Sequence, residues 1–142
     1  MLFRSNQIPA EATVDYYETA TRTVGGADAT RSFFRLFMFP GMGHCNGGPG
    51  GGDFDWLTTL ENWVENGVAP DQVIAYRPKA ETYPIVQNSA GESYVEMPRY
   101  PLPVETYDRT RPVFAYPDIA TWNGKGDPVN AENWIKAERS RK

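Results

Sequence analysis

Residues 32–67 read SFFRLFMFPGMGHCNGGPGGGDFDWLTTLENWVENG: an apolar run, a glycine-rich loop and a segment of helical periodicity in immediate succession. Ser32–Phe39 is almost continuously apolar and holds four phenylalanines, the pattern of a strand covered on both faces in a mostly parallel sheet. Arg35 interrupts the run and is expected where its guanidinium reaches solvent or a carboxylate. Pro40 and Gly41 end the strand. From Asp53 onward, Phe54, Trp56, Leu57, Leu60, Trp63 and Val64 recur at three- and four-residue steps. That spacing predicts an amphipathic helix with Asp53 as N-cap and Gly67 just past its end. Its tryptophan and leucine face is expected to be core packing. Between strand and helix lie the only histidine of the chain, His44, and the only cysteine, Cys45.

The order strand, loop, helix places that loop where open α/β sheets put their chemistry, at the carboxyl end of a strand. Outward from it, Ile8–Thr23 predicts a helix: Pro9 sits near its start, Val14, Tyr17 and Ala20 share a face, and Gly25 and Gly26 end it. Val73–Tyr76 is a short strand. Beyond it, brief β-like runs alternate with prolines, and the best pairing is a small hairpin across Asn88–Gly91. The chain has 142 residues with 12 Pro and 13 Gly, and most of the prolines follow residue 69. The expectation is one α/β domain. Residues 1–78 would hold its regular elements, and residues 79–142 would form an irregular, proline-rich closing segment of the same domain.

Charge and composition exclude several functions. A net charge of −4 and a pI near 5.0 leave no polybasic footprint for nucleic acid or an anionic membrane. No run of 18 apolar residues occurs, and Met1-Leu2-Phe3-Arg4-Ser5 does not read as a secretory leader. One cysteine forms no internal disulfide, which leaves a reduced thiol, a bridge to another chain, or a partner beyond this sequence. One histidine and one cysteine are too few for a zinc site, so neither metal nor cofactor is expected. The glycines also fail as a phosphate cradle. Gly41-Met42-Gly43-His44-Cys45-Asn46 puts asparagine where the dinucleotide fingerprint needs glycine, and no Gly-Lys-Ser or Gly-Lys-Thr occurs. A histidine on a loop behind a strand fits better as the base of a Ser-Asp/Glu-His hydrolase, since imidazole can take a serine proton and return it near neutral pH. Asp53 and Asp55 read as helix N-terminal charges rather than as catalytic carboxylates.

Several motifs carry a family resemblance. Pro40–Cys45 (PGMGHC), the glycine run Gly47–Gly52, Phe54-Asp55, Trp63-Val64-Glu65 and Gly67-Val68-Ala69-Pro70 closely resemble the C-terminal part of the tannase and feruloyl esterase family of α/β-hydrolases. The likeness extends to IPAEATVDYYE upstream and to RPVFAYPDIATWNGKGDPVNAENW downstream, and so runs through nearly the whole chain. It implies a partial α/β-hydrolase sheet and a serine esterase that hydrolyses esters of aromatic acids through a Ser-Asp-His triad. His44 would be the general base of that triad.

Departures from the family pattern sharpen the expectation. The resemblance places the nucleophilic serine far upstream, beside a cysteine that pairs with the one next to the catalytic histidine, so Cys45 would have its disulfide partner outside this chain. The positions matching the triad acid are Ser5 or Asn6, and neither ionises as a carboxylate. Two further family cysteines correspond to Phe114 and Lys136, and both are gone together. Calcium, held by some members elsewhere in their fold, has no site in these residues. Two classes follow: an ester hydrolase portion that carries the base and lacks the nucleophile, or a non-catalytic assembly module or truncated remnant. The module would dock on a separately encoded N-terminal half or self-associate through an exposed sheet edge. The family disulfide suggests an oxidising compartment, secreted or periplasmic.

Overall fold

The computed structural model describes residues 9–43, 48–79, 85–95 and 103–139. Helix α1 spans Ala10–Thr23 and is followed, after Gly25 and Gly26, by a short helix α2, Ala27–Arg31. The helix α3 covers Trp56–Asn66. Six strands complete the described fold: β1 Gln72–Pro78, β2 Ile85–Gln87, β3 Ser93–Val95, β4 Tyr107–Phe114, β5 Ile119–Trp122 and β6 Trp134–Ala137. They form three two-stranded ladders, β1 with β4, β2 with β3 and β5 with β6, all antiparallel.

The expected mostly parallel sheet is therefore not what the described residues show. The closing segment is also more regular than its prolines suggested, because β4 is an eight-residue strand. Proline is compatible with a strand wherever its missing N–H is not needed by the ladder. The Ala115 N–H donates to the Asp71 carbonyl. Since strand amides alternate between edges, the odd-numbered residues of β4 face β1 and the nitrogen of Pro112 faces away. Opposite Pro112 stands Ile74, in a pair that exchanges no hydrogen bond.

Burial follows the same alternation. Val73 and Ala75 of β1 and Val113 of β4 form the buried core, with Phe37, Phe39 and Phe54 packed against it. The core thus joins residues from both sides of position 78. The predicted hairpin is present as β2 and β3. Asn88 holds its turn through its side-chain oxygen, which accepts from the Ala90 and Glu92 N–H groups, as an Asx-type turn does.

Of the predicted strand Ser32–Phe39, Ser32 and Phe33 instead turn off the end of α2, the Phe33 and Phe34 N–H groups donating to the Thr30 carbonyl; the rest runs without a ladder, its one bridge among the described residues being Phe37 to Ala115, supported by the Tyr116 N–H donating to the Leu36 carbonyl. Strand geometry needs a ladder, and one bridge does not make one. The layering is nevertheless as expected. On one face, Phe34 meets Tyr16 and Tyr17 of α1 at ring separations of 6.4 and 5.1 Å. On the other, Arg35 lies 6.0 Å from the Trp63 ring of α3, and Phe39 stacks on Phe54 at 5.1 Å. This stretch therefore meets α1 on one face and Trp63 of α3, with the preceding Phe54, on the other. Arg35 also finds its carboxylate: it pairs with Asp71 and donates to the Pro70 carbonyl at 3.2 Å. That pairing holds the Asp71 carboxyl below the usual range.

The α3 boundaries differ from the prediction at one end. Asp55, not Asp53, caps the helix, accepting from the Thr58 N–H at 3.2 Å, while Asp53 bridges to Tyr76 of β1. At the other end Gly67 adopts φ 68°, and its N–H and that of Val68 return to Trp63 and Asn62, the glycine cap expected there. The expectation of core packing for α3 fails: none of its residues is buried, and Trp56, Leu60 and Val64 are 59, 47 and 75% exposed. Only Thr59 and Trp63 of this helix are half-buried, and the contact it makes with the segment before the glycine loop is that of Trp63 with Arg35. Val113→Ala should therefore lower stability by about 2 kcal/mol by opening a cavity. Val64→Ala, though the same chemical change, should stay within about 0.5 kcal/mol. Urea unfolding of the two variants checks the contrast.

Candidate functional site

His44 and Cys45 lie outside the described residues, as do Ser5 and Asn6. What the structure gives is the frame on either side of 44–47. The chain arrives along Phe33–Phe39, turns at Pro40–Gly41, and leaves along Gly48–Asp53 to rejoin β1. The two limbs touch: the Gly50 N–H donates to the Gly41 carbonyl at 3.0 Å. A Cβ on Gly50 would stand 2.0 Å from the Pro40 oxygen, and one on Gly48, at φ 90°, would stand 2.3 Å from the Gly41 oxygen. Neither position tolerates a side chain. The glycines are thus needed for the loop to close on itself, and the phosphate cradle is not required to explain them. Beyond the closure, the Gly52 and Asp53 N–H groups donate to the Tyr76 carbonyl, and the Tyr76 N–H returns to Asp53 at 2.7 Å.

A second grip comes from below. Arg77 and Arg109 each donate from Nη1 to the Pro49 carbonyl, both at 3.1 Å. They stand directly opposite each other on β1 and β4, an arrangement of like charges that is unfavourable by itself. Asp108 relieves it. The register slips between Arg77 and Pro78, so that Pro78 faces Tyr107 and Asp108 becomes the extra residue. Such a bulge re-aims a side chain. Asp108 accepts two hydrogen bonds from Arg77, at 2.7 and 2.6 Å, a bidentate fork. The Arg77 guanidinium in turn holds the Asp108 carboxyl below its usual range.

Arg111 completes a row of arginines on this face of the sheet. Its guanidinium lies 3.7 Å from the Trp134 ring of β6, close enough for a cation–π contact. Burial, and then the neighbouring Arg109, push its pKa below the ordinary arginine value. The Nε atoms of Arg109 and Arg111 are buried without a hydrogen-bond partner among the described residues. A small cavity of about 80 Å³ lies there, walled by both arginines and by Pro40, Gly41 and Pro49–Gly51. On the α1 side a larger, mostly apolar cavity of about 550 Å³ runs past Val14, Met38, Pro40, Phe114 and Ile119.

The site frame is thus built from two distant stretches, residues 40–53 and 77–111. The sequence pointed to the first and not to the second. In YDRTRPVF the alternation of Tyr107, Arg109, Arg111 and Val113 was the available signal, and Pro112 obscured it. Among the described residues no cluster of three or more histidine, cysteine or acidic side chains could hold a metal. No helix among them is long and apolar enough to cross a membrane.

Comparison with known proteins finds relatives along most of the chain. The chain is 41% identical over 120 residues to the mono(2-hydroxyethyl) terephthalate hydrolase of Piscinibacter sakaiensis, covering 84% of this chain and 16% of that protein. It is 30% identical over 160 residues to an uncharacterized esterase of Xanthomonas campestris pv. campestris, covering 94% of this chain and 24% of the relative. The chain thus spans about a sixth to a quarter of the length of these relatives. The crystal structure of an esterase from Aspergillus oryzae shares its fold, with a TM-score of 0.68 at 21% identity, over 92% of this chain and 25% of that one. The sequence model of the family described as tannase and feruloyl esterase matches residues 4–137. With that match over nearly its whole length, the chain belongs to the tannase and feruloyl esterase family.

Proposed function

We propose that this chain is the base-carrying portion of a carboxylic ester hydrolase acting on esters of aromatic acids. His44 is its general base, and the nucleophilic serine is supplied by the remainder of the family fold. The observation that carries this reading is the closed glycine loop. It joins Gly41 to Gly50 by a hydrogen bond and anchors Pro49 to two arginines, so the segment containing His44 starts and ends on fixed points. A histidine delivered from a rigid frame suits proton transfer, which requires a base within hydrogen-bond reach of its partner. The name of the Piscinibacter sakaiensis relative, a hydrolase of a terephthalate ester, supports an aromatic acyl group.

In this scheme the serine oxygen attacks the ester carbonyl as His44 takes its proton. The proton then passes to the departing alkoxide, releasing the alcohol and leaving an acyl-enzyme. Water, deprotonated by His44, cleaves the acyl-enzyme, and the serine regains its proton as the carboxylic acid leaves. Cys45 would fix the histidine loop to the loop of the serine through a disulfide with a cysteine there. Ser5 or Asn6 in the acid position could orient the imidazole but would not balance its positive charge. A second reading, a non-catalytic assembly module, is favoured by the exposed apolar residues of α3.

On this reading, combining the chain with the remaining portion of the family fold should give turnover of methyl ferulate or of mono(2-hydroxyethyl) terephthalate, and the chain alone should give none. In the complex, His44→Ala should cut kcat by about 10⁴-fold or more. Unchanged turnover would dismiss His44 as the base. Gly50→Ala should lower kcat with little change in KM, because it opens the ring without touching the substrate.

The ion pair under the loop makes a separate prediction. The folded-state pKa of Asp108 is lowered, so the pair stabilises fully above the ordinary carboxylate range, near pH 4, and its contribution fades as pH falls through the lowered folded value. Asp108→Asn should reduce stability at neutral pH and show a shallower loss on acidification, read from urea midpoints across that range. Asp71, paired with Arg35, keeps part of the acid sensitivity in place.

A further inference from the structure

The core face of the β1–β4 ladder changes chemistry along its length. Val73 stands opposite Val113 and both are buried. One step further Ala75 stands opposite Arg111, and the step after that sets Arg77 opposite Arg109. Residues two apart on a strand share a face at a spacing of about 7 Å, so the apolar core runs directly into three guanidinium groups. Ala75 is too short to fill the space beside Arg111. The cavity of about 80 Å³ lies there, lined by Ala75, Arg109, Arg111, Val113 and the neck of the glycine loop.

Charge around this cavity is unbalanced. Arg77 is matched by both carboxylate oxygens of Asp108. Arg109 gives one N–H to the Pro49 carbonyl and Arg111 packs on Trp134, yet the Nε of each is buried without a hydrogen-bond partner among the described residues. The Pro49 and Gly41 carbonyls on the loop side accept from Arg77, Arg109 and Gly50 instead. The charged group whose field is felt at Arg111 is Arg109, which repels it. A guanidinium keeps its proton at neutral pH, so titration does not relieve that repulsion. A buried donor left without an acceptor is costly, and two of them beside a like-charged pair are best met by an acceptor that carries negative charge. Water can satisfy an Nε–H but leaves the repulsion in place.

We propose that the cavity between Arg109, Arg111 and the neck of the glycine loop is a binding site for a small monovalent anion of the size of chloride. Its volume equals that of about two or three water molecules in the liquid, which admits a halide and excludes an aromatic carboxylate. The chain as a whole carries a net charge of −4 and offers anions no general attraction, so binding comes from this pair of guanidinium groups. Pro40, Gly41 and Gly50 wall the same cavity, and Gly50 seals the loop onto Gly41. An anion held there ties the seal to the sheet through charge, in addition to the two arginine bonds on Pro49. The site concerns the frame beneath the loop and needs neither ester chemistry nor a role for His44.

The probe is chloride, exchanged at constant ionic strength for gluconate, whose anion is too large for the cavity. In urea unfolding, replacing about 0.1 M gluconate by chloride should raise the folded-to-unfolded ratio about tenfold, as for a site half-filled at about 10 mM. Hydrogen exchange at the Gly50 amide should slow by a similar factor. Arg111→Gln removes one guanidinium, and Arg111→Lys keeps the charge but removes the Nε donor. Both should cut the chloride-induced rise to less than about twofold, whereas Arg139→Gln, which removes a positive charge elsewhere, should leave it intact. In crystals soaked with bromide, an anomalous peak should stand in the cavity within reach of both Nε atoms. That reading needs no variant and decides the matter where the Arg111 variants do not fold. Equal stability in chloride and gluconate would mean that water alone fills the cavity, and the proposal would fall. A chloride effect that survives both Arg111 variants, or bromide found only elsewhere, would mark an adventitious ion only and overturn it equally.

Discussion

The antiparallel ladder of β1 and β4 is the contact on which the rest of the structure depends. It brings Val73 and Ala75 against Val113 to make the buried core, and it is the only described ladder flanked on both sides by other parts of the chain. At the β1 edge, Tyr76 receives Gly52 and Asp53, which returns the glycine loop to the sheet. Where β4 ends, Ala115 and Tyr116 catch residues 36 and 37. Farther along β4, Thr110 binds Val129 through its backbone and Ala131 through its hydroxyl, which ties the β5–β6 hairpin to the core. One ladder therefore connects the approach to the histidine loop, its exit and the closing segment.

Local pattern made much of this legible. The α1 helix, the β2–β3 hairpin and the glycine cap at Gly67 all follow from periodicity and turn chemistry acting over a few residues. What was not legible depends on partners distant in sequence. Whether Ser32–Phe39 becomes a strand is decided by neighbours rather than by its phenylalanines. Whether the apolar face of α3 is buried is likewise decided by what lies against it. The strand β4 was hidden by Pro112, whose missing N–H costs nothing only because Ile74 sits opposite in a pair without hydrogen bonds, a matter of register. Asp55 prevailed over Asp53 as cap because Asp53 was already engaged by Tyr76.

The candidate site shows the same division. PGMGHC named the histidine, and the family match over residues 4–137 agrees with the resemblance those residues carried. The arginines under the loop carry no comparable motif. Arg77 and Arg109 act on Pro49 because β1 and β4 pair in one register and slip once, which no spacing in the sequence reveals. Nor does the overall charge of −4 hint at a row of three cations on one face of the sheet. Among the described residues, Arg77 is the one of the three with a carboxylate partner; Arg111 packs on an aromatic ring.

The closure between Gly41 and Gly50 has a consequence for how such a loop can change over time. The seal is made of backbone groups and of glycines that admit no side chain. A single added methyl group at Gly48 or Gly50 would meet a carbonyl oxygen of the opposite limb. Those positions are therefore closed to change by steric contact alone, whatever chemistry the loop performs.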